Sequence, residues 1–277
     1  MLSTQYQVPS TASEASLRLI IVGPGRAGGA LALASIAAGH EIVDVLSRTP
    51  GQGYGPELDW DTPLPEADIV LIAVKDEAIA EVVSRLEGGV DGVDVVAHVS
   101  GFVPASAIQP LHGVAIGGFH PLQSLPDPER GARALSGSYV GIGGDSLAVD
   151  SLNLLAASLG MIPFRLEDDS RPAYHAASAA ASNFVVTALA VATDLYQSAG
   201  IDPVAARPLT ERVVANVFES GPGAALTGPI ARGDIETVVG HLAAAHLVSE
   251  SVGRQFSLLV EATALRAGRE EDIEKWR

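Results

Sequence analysis

The segment Leu17-Arg18-Leu19-Ile20-Ile21-Val22-Gly23-Pro24-Gly25-Arg26-Ala27-Gly28 constrains the fold of this chain more than any other. An apolar strand runs directly into G-x-G-x-x-G, and an alanine-rich stretch follows as a helix. Each glycine in this spacing has its own task. Gly23 permits a tight turn, Gly25 lets a pyrophosphate approach the backbone, and Gly28 lets the helix pack on the strand. Free N–H groups at the helix start then face the phosphates. Gly23, Pro24, Gly25, Arg26, Ala27 and Gly28 are therefore the expected dinucleotide contacts. A glycine-rich turn without a ligand is the plainer alternative.

The pattern downstream suits that reading. Strands are expected over residues 17–22, 41–47, 67–74, 94–99, 114–119, 138–142 and 161–165, and helices over 27–38, 76–86, 104–111 and 147–159. Continuous apolar runs such as Ala67–Val74 predict strands buried on both faces. The fold class expected is α/β, a doubly wound parallel sheet of Rossmann type followed by an all-α domain. The rhythm changes after Asp168-Asp169-Ser170-Arg171-Pro172, which reads as a helix start. One long helix is expected over 173–199, then helices near 205–219, 235–247 and 250–267. The domains expected are a disordered tail over 1–16, a nucleotide-binding domain over 17–167 and a helical domain over 168–277.

Composition narrows the partners. A net charge of −16 argues against nucleic acid and anionic membranes. Absence of cysteine excludes disulfides, thiolate catalysis and Cys-based metal sites, and no metal is expected. Residues 1–16 lack the basic start and apolar core of a signal peptide, so a cytoplasmic location is expected. Residues 176–195 are apolar but mostly alanine, which suits a buried helix better than a bilayer span. Lys75 and Lys275 are the only lysines, and the charged end 269–277 reads as a solvated helix end.

Ligands of open α/β sheets sit beyond the carboxyl ends of the strands. Strand two ends at Ser47-Arg48, where NAD-specific proteins usually carry an acid; a hydroxyl and a guanidinium suit a 2′-phosphate, so NADP is expected over NAD. Asp44 is a weaker ribose candidate. Ala73, Val74 and Lys75 follow the next strand, with Asp76 read as a helix cap. Ser100-Gly101 and His120-Pro121-Leu122-Gln123-Ser124 follow later strands. On the long helix His175, Ser178 and Ser182 share a face with Asn183 at its edge, either lining a pocket or bonding across a helix interface. The loop 220–234 contains Thr227 and Arg232, and is read either as an anion-binding loop or as a connector capped by Asp234.

Taken in order, the glycine loop, Ser100-Gly101, Gly117-x-x-His120-Pro121-Leu122, the His175…Ser182-Asn183 helix and Leu226-Thr227-Gly228-Pro229-Ile230-x-Arg232-Gly233-Asp234 resemble a known family. It comprises Rossmann-like oxidoreductases with a helical C-terminal domain of unknown function, grouped near pyrroline-5-carboxylate reductase, ketopantoate reductase and prephenate dehydrogenase. The resemblance implies an NAD(P) domain, a helical domain and often a dimer with the site between domains. Hydroxyacid dehydrogenases and ketopantoate reductases of the wider superfamily use a lysine on the interdomain helix; this chain has His175 and Asn183 there, so that mechanism does not transfer. The function expected is NADP-dependent oxidation or reduction of a small carbonyl, imine or hydroxy substrate bearing a carboxylate. The roles expected are acid–base chemistry at His120 or His175, orientation by Asn183 and Ser100, and substrate binding by Gln123, Ser124, Ser182, Thr227 and Arg232. Gly101 joins the cofactor set. The two histidines are expected to face one cleft, on opposite sides of the nicotinamide. A homodimer through the helical domain is expected because the 173–199 helix is apolar around much of its circumference. The alternative is a non-catalytic NADP-binding regulatory or scaffold protein.

Overall fold

The computed structural model describes residues 16–49 and 51–276. The tail expected over 1–16 lies, except for Ser16, outside the described residues. By its contacts the chain divides into two units, the first ending at Ser178 and the second running from Ala179.

The first unit is built on β1 (Arg18–Val22), α1 (Arg26–Ala37), β2 (Glu41–Leu46), β3 (Ala67–Ile72), α2 (Ile79–Leu86), β4 (Val93–His98), β5 (Ala115–Leu122), α3 (Pro128–Leu135), β6 (Tyr139–Gly144), α4 (Ser146–Ser158), β7 (Ile162–Arg165) and the start of α5 (Arg171–Ala181). Its strands form one sheet in the order β2-β1-β3-β4-β5-β6-β7. The chain leaves β1 for β2 on one side and returns to β3 on the other, so the topological switch lies between β1 and β3. The apolar strands are covered on both faces. Leu19, Ile21, Leu71 and Ala97 pack toward Leu31 and Leu152, whereas Ile20, Val22, Ile72 and Val96 pack toward Ile79, Val83 and Ile108.

The sheet is parallel from β2 to β5, but β6 runs antiparallel to β5 and β7 parallel to β6. The connection after β5 carries α3 onto α1, where Gly131 comes against Ala30, instead of crossing back to the far edge of the sheet. The chain therefore returns along β5. That α3 is a helix the periodic pattern does not predict. Its start is marked by Asp127, whose carboxylate accepts from Arg130 N at 2.8 Å, and by Pro128 in the first turn. The segment expected as a helix over 104–111 is a 3₁₀ turn, Ala105–Ile108. Asp76 begins a 3₁₀ turn and caps nothing with its side chain.

The second unit contains α6 (Asn183–Ser198), α7 (Arg207–Ser220), α8 (Pro222–Ala225), α9 (Pro229–Arg232), α10 (Ile235–Val248), α11 (Glu250–Ala267) and α12 (Ile273–Trp276). The single helix expected over 173–199 is broken: Ser182 has φ −121° and ψ −73°, and its hydroxyl donates to Asn183 Oδ1 at 3.0 Å. Ser and Asn side chains compete for local hydrogen bonds and so favour such a break. By length and composition alone the run Asp168–Ser198 is apolar enough to cross a bilayer. The end of the chain also departs from expectation. Trp276 is buried with Val238, Val260 and Ala264, and the buried Asp272 meets Lys275 Nζ at 2.6 Å and Arg269 Nη1 at 3.6 Å. An indole has more to gain from apolar cover than from solvent, so this end packs and is not solvated.

Candidate active site

The glycine loop takes the shape its spacing requires. Gly23 has φ +86°, and a Cβ there would stand 2.6 Å from Val74 Cγ1. A Cβ on Gly28 would collide with the Gly23 carbonyl, so α1 packs against the turn as closely as backbone permits. At Gly25, by contrast, a Cβ would meet nothing within 4 Å. That open space lies at the start of α1, which no side chain caps. Two tight glycines thus hold the turn and the third leaves its outer side free, as a pyrophosphate against the helix start requires.

Beyond the carboxyl ends of β1, β2 and β3 lies a groove of about 570 Å³. Gly23, Pro24 and Gly25 line it at one point, Ser47, Arg48 and Thr49 at another, and Ala73, Val74 and Lys75 at a third. Eight of the expected cofactor residues, from three separate strand ends, therefore share one groove, whereas Arg26, Ala27, Gly28 and Gly101 do not line it. Asp44 does not line it. Arg48 is exposed, while Ser47 Oγ accepts from Thr49 N at 3.1 Å and so fixes the turn after β2. Lys75 is exposed beside Glu77, at 3.9 Å. Trp60, Arg85 and Glu81 also line the groove and were not singled out from sequence. A dinucleotide with a 2′-phosphate fits this donor set, which pairs an open glycine turn with a hydroxyl and a guanidinium.

A second cluster sits past β4 and β5. β4 pairs with β5 as far as His98 opposite Gly118, and β5 continues, so His120 lies inside a strand yet beyond the point where β4 stops. Its Nδ1 is 2.6 Å from the Tyr174 hydroxyl, and its ring stands edge-to-face with Tyr174 at 5.4 Å. His175 lies 6.2 Å from His120, centroid to centroid. The two imidazoles are thus direct neighbours; they do not bracket a gap from opposite sides. Gly101 lies against the His120 ring, where a Cβ would fall 2.8 Å from Nε2, so only glycine fits at that point. Burial, then His175 and Arg171, push the His120 imidazole down to about 4, which keeps it neutral near pH 7.

The floor of this cluster is ionic. Arg171 is fully buried; its Nε donates to Asp168 Oδ1 at 3.0 Å and its Nη1 to the Ser100 carbonyl at 3.0 Å. Burial raises the Asp168 carboxyl, but hydrogen bonds from Ala105 N, Ser106 N and Arg171 outweigh it and hold the group below its usual range. Ser100 Oγ accepts from Phe102 N and Val103 N, at 3.1 and 3.0 Å. Its hydroxyl thus shapes the turn that carries Gly101. Tyr174, Arg171 and Asp168 are the members of the cluster that the sequence reading did not assign to the site.

His98 is buried and structural. Ser100 N donates to its Nδ1 at 3.2 Å, so Nε2 carries the proton to the Pro104 carbonyl at 3.1 Å. Burial lowers its imidazole to about 4. An unfolded histidine titrates near 6.5. Between these values the unfolded chain binds more protons than the native one, so stability falls as pH drops through the window. Acidification from pH 7 to pH 5 is expected to cost about 2 kcal/mol through His98 alone. Urea unfolding at the two pH values checks this: His98→Gln should remove about half of the dependence that His98 and His120, both lowered to about 4, give together.

Other expected residues have local partners or belong to the second unit. Gln123 is tied to the Ala134 carbonyl at 3.2 Å, and Ser124 N donates to Gln123 Oε1 at 2.8 Å. Ser182, Asn183, Thr227 and Arg232 belong to the helical unit. Arg232 donates through Nε and Nη2 to Asp234 Oδ2, at 3.1 and 2.8 Å. Asp234 therefore serves Arg232 and does not cap α10 with its side chain.

Residues 138–263 match the family model described as a domain of unknown function, DUF2520. A search of the curated proteins finds no match. Among solved structures, BF3122 of Bacteroides fragilis, assigned as an NADP oxidoreductase, superposes with a TM-score of 0.79 at 22% identity, over 90% of this chain and 98% of that one. The chain has a Rossmann-like fold. The imine reductase of Myxococcus stipitatus in complex with NADP+ aligns with a TM-score of 0.66 at 15% identity, over 92% of this chain and 98% of its own. The Plasmodium falciparum pyrroline carboxylate reductase with NADP bound gives 0.60 at 14% identity, over 91% and 98%. These likenesses span both units, whereas the family model begins near β6 and leaves the glycine loop outside it.

Proposed function

We propose that this chain is an NADP-dependent oxidoreductase acting on a small carbonyl, imine or hydroxy substrate that bears a carboxylate. The observation that carries the reading is the groove in which the glycine loop, Ser47-Arg48 and Lys75 come together. The similar structures that are by name NADP oxidoreductases or NADP complexes lend it support. In this reading residues 23–28 hold the pyrophosphate, Ser47 and Arg48 take the 2′-phosphate, and Ala73, Val74, Lys75 and Gly101 border the rest. Once bound, the nicotinamide supplies the hydride chemistry. The neutral His120 imidazole, oriented by Tyr174, hydrogen-bonds the reacting group, and the exposed His175 beside it passes the proton to or from solvent. Ser100 orients the substrate, and Gln123 and Ser124 border it.

Titration with NADPH and NADH tests the reading. NADPH is expected to bind tighter, and Arg48→Ala to weaken it selectively by roughly 1.5–3 kcal/mol. Equal dissociation constants for the two nucleotides would overturn it. Turnover is then sought across keto acids, imines and aldehydes; tight NADPH binding with no turnover on any of them would make the protein a non-catalytic binder.

The helical unit is proposed to form a homodimer through residues 173–267. Phe184, Val186, Phe218 and Leu247 are all exposed large apolar side chains on its helices. Apolar surface of that kind on a soluble chain marks an interaction face. Sedimentation at micromolar concentration should give twice the chain mass, and a monomer would refute the proposal.

A further inference from the structure

Among its described residues the connection between β2 and β3 contains no helix, and it delivers Trp60 to the groove wall. The indole Nε1–H donates to the Ser47 carbonyl at 3.4 Å, which ties the ring to the residue preceding Arg48. On the facing element, α2, the last turn carries Arg85, whose guanidinium carbon lies 4.9 Å over the Trp60 ring. Arg48 and Arg85 both line the groove, and among the described residues neither takes part in an ion pair. Most other arginines of this strongly acidic chain are paired. The groove therefore holds three cations, Arg48, Lys75 and Arg85, against two carboxylates, Glu77 and Glu81, and Glu77 already faces Lys75.

We propose that Arg85, held over Trp60, is a second specificity-determining residue of this groove and joins Arg48 on the 2′-phosphate of the bound adenosine. The proposal rests on the NADP reading above and extends it to residues outside the glycine and Ser47-Arg48 motifs. A phosphate monoester carries up to two negative charges and three acceptor oxygens, so one guanidinium leaves it part-satisfied. A guanidinium over an indole face keeps its edge N–H groups free to donate while the contact restricts its motion. A flexible arginine becomes a preoriented one, and less entropy is lost when the phosphate arrives.

The test uses fragments of the cofactor on the full chain. Adenosine 2′,5′-bisphosphate and AMP are titrated calorimetrically into the unaltered protein, Arg85→Gln, Arg85→Lys and Trp60→Leu. Arg85→Gln is expected to lose about tenfold in affinity for the bisphosphate and to keep its affinity for AMP. Arg85→Lys should recover part of that loss, and Trp60→Leu should reduce the preference in the same direction. An unchanged bisphosphate-to-AMP ratio in Arg85→Gln would overturn the proposal while leaving the NADP reading intact. Equal weakening of both nucleotides would also overturn it, since the pair would then only brace the loop. No preference for the bisphosphate in the unaltered protein would be a separate result, removing the NADP reading and this proposal together.

Discussion

His120→Ala is expected to lower turnover by about 10²–10⁴-fold while leaving NADPH affinity nearly unchanged. The two effects separate because His120 does not line the groove that contains the glycine loop and Arg48. His120 is on the part of β5 that outruns β4, held between Gly101 on one side and the Tyr174 hydroxyl on Nδ1. Such a ring has one orientation and one free nitrogen, Nε2. Tyr174→Phe keeps the ring in place but removes the group that selects its tautomer, so a smaller loss, roughly tenfold, is expected. Steady-state kinetics on any substrate found in the screen, paired with NADPH titration, decide the matter. Turnover that survives His120→Ala, or affinity lost in parallel with it, would remove the imidazole from the chemistry.

The parallel half of the sheet was legible because its strands are continuous apolar runs and its glycines have fixed geometric tasks. Nothing similar marks β6 as antiparallel: Tyr139–Gly144 has the composition of any buried strand, and its direction depends on where α3 packs. That helix was missed because a proline, two arginines and a glycine mask its narrow apolar face, although Asp127-Pro128 was a readable start signal. In the sequence Ser182-Asn183 looks like a polar stripe on one continuous helix. Its hydroxyl and amide instead help to end one helix and begin another. The charged neighbours of Trp276 suggest a solvated helix end, although an indole among them is itself a reason to expect packing.

Legibility of the site divides along the same line. Contacts made by consecutive residues, such as the glycine turn and Ser47-Arg48-Thr49, could be read directly. Pairings across distant stretches could not. Tyr174 meets His120 from 54 positions away, and Arg85 reaches Trp60 from a different element. In the sequence Arg171 marks only a helix start, because a lone arginine beside Asp168 and Asp169 looks like surface charge. Its complete burial is set by Ser100, Gly118 and Gly143 closing around the guanidinium, which no local pattern encodes.

That buried guanidinium makes Asp168 the residue whose loss should most harm the fold. Asp168 Oδ1 accepts from Arg171 Nε at 3.0 Å and from Ala105 N at 2.7 Å, and Oδ2 accepts from Ser106 N at 3.2 Å. Asp168→Ala would leave Arg171 charged and buried with no carboxylate, retaining the Ser100 carbonyl as an acceptor. Removing one partner of a fully buried pair typically costs about 3–5 kcal/mol; Asp168 is partly exposed, so a cost at or below the lower end of that range is expected. Asp234→Ala provides the contrast: its arginine is mostly exposed, and the expected cost is below about 1 kcal/mol. Urea unfolding of both variants beside the unaltered chain measures the difference. If Asp168→Ala is no more destabilising than Asp234→Ala, then Arg171 finds water or another acceptor when the carboxylate is gone, and its charge is not what fixes the turn carrying Gly101. If the large loss is found, that turn, the glycine lying against His120 and the start of α5 with Tyr174 and His175 all depend on one carboxylate. Asp168 then links the stability of the first unit directly to the geometry of its imidazole cluster.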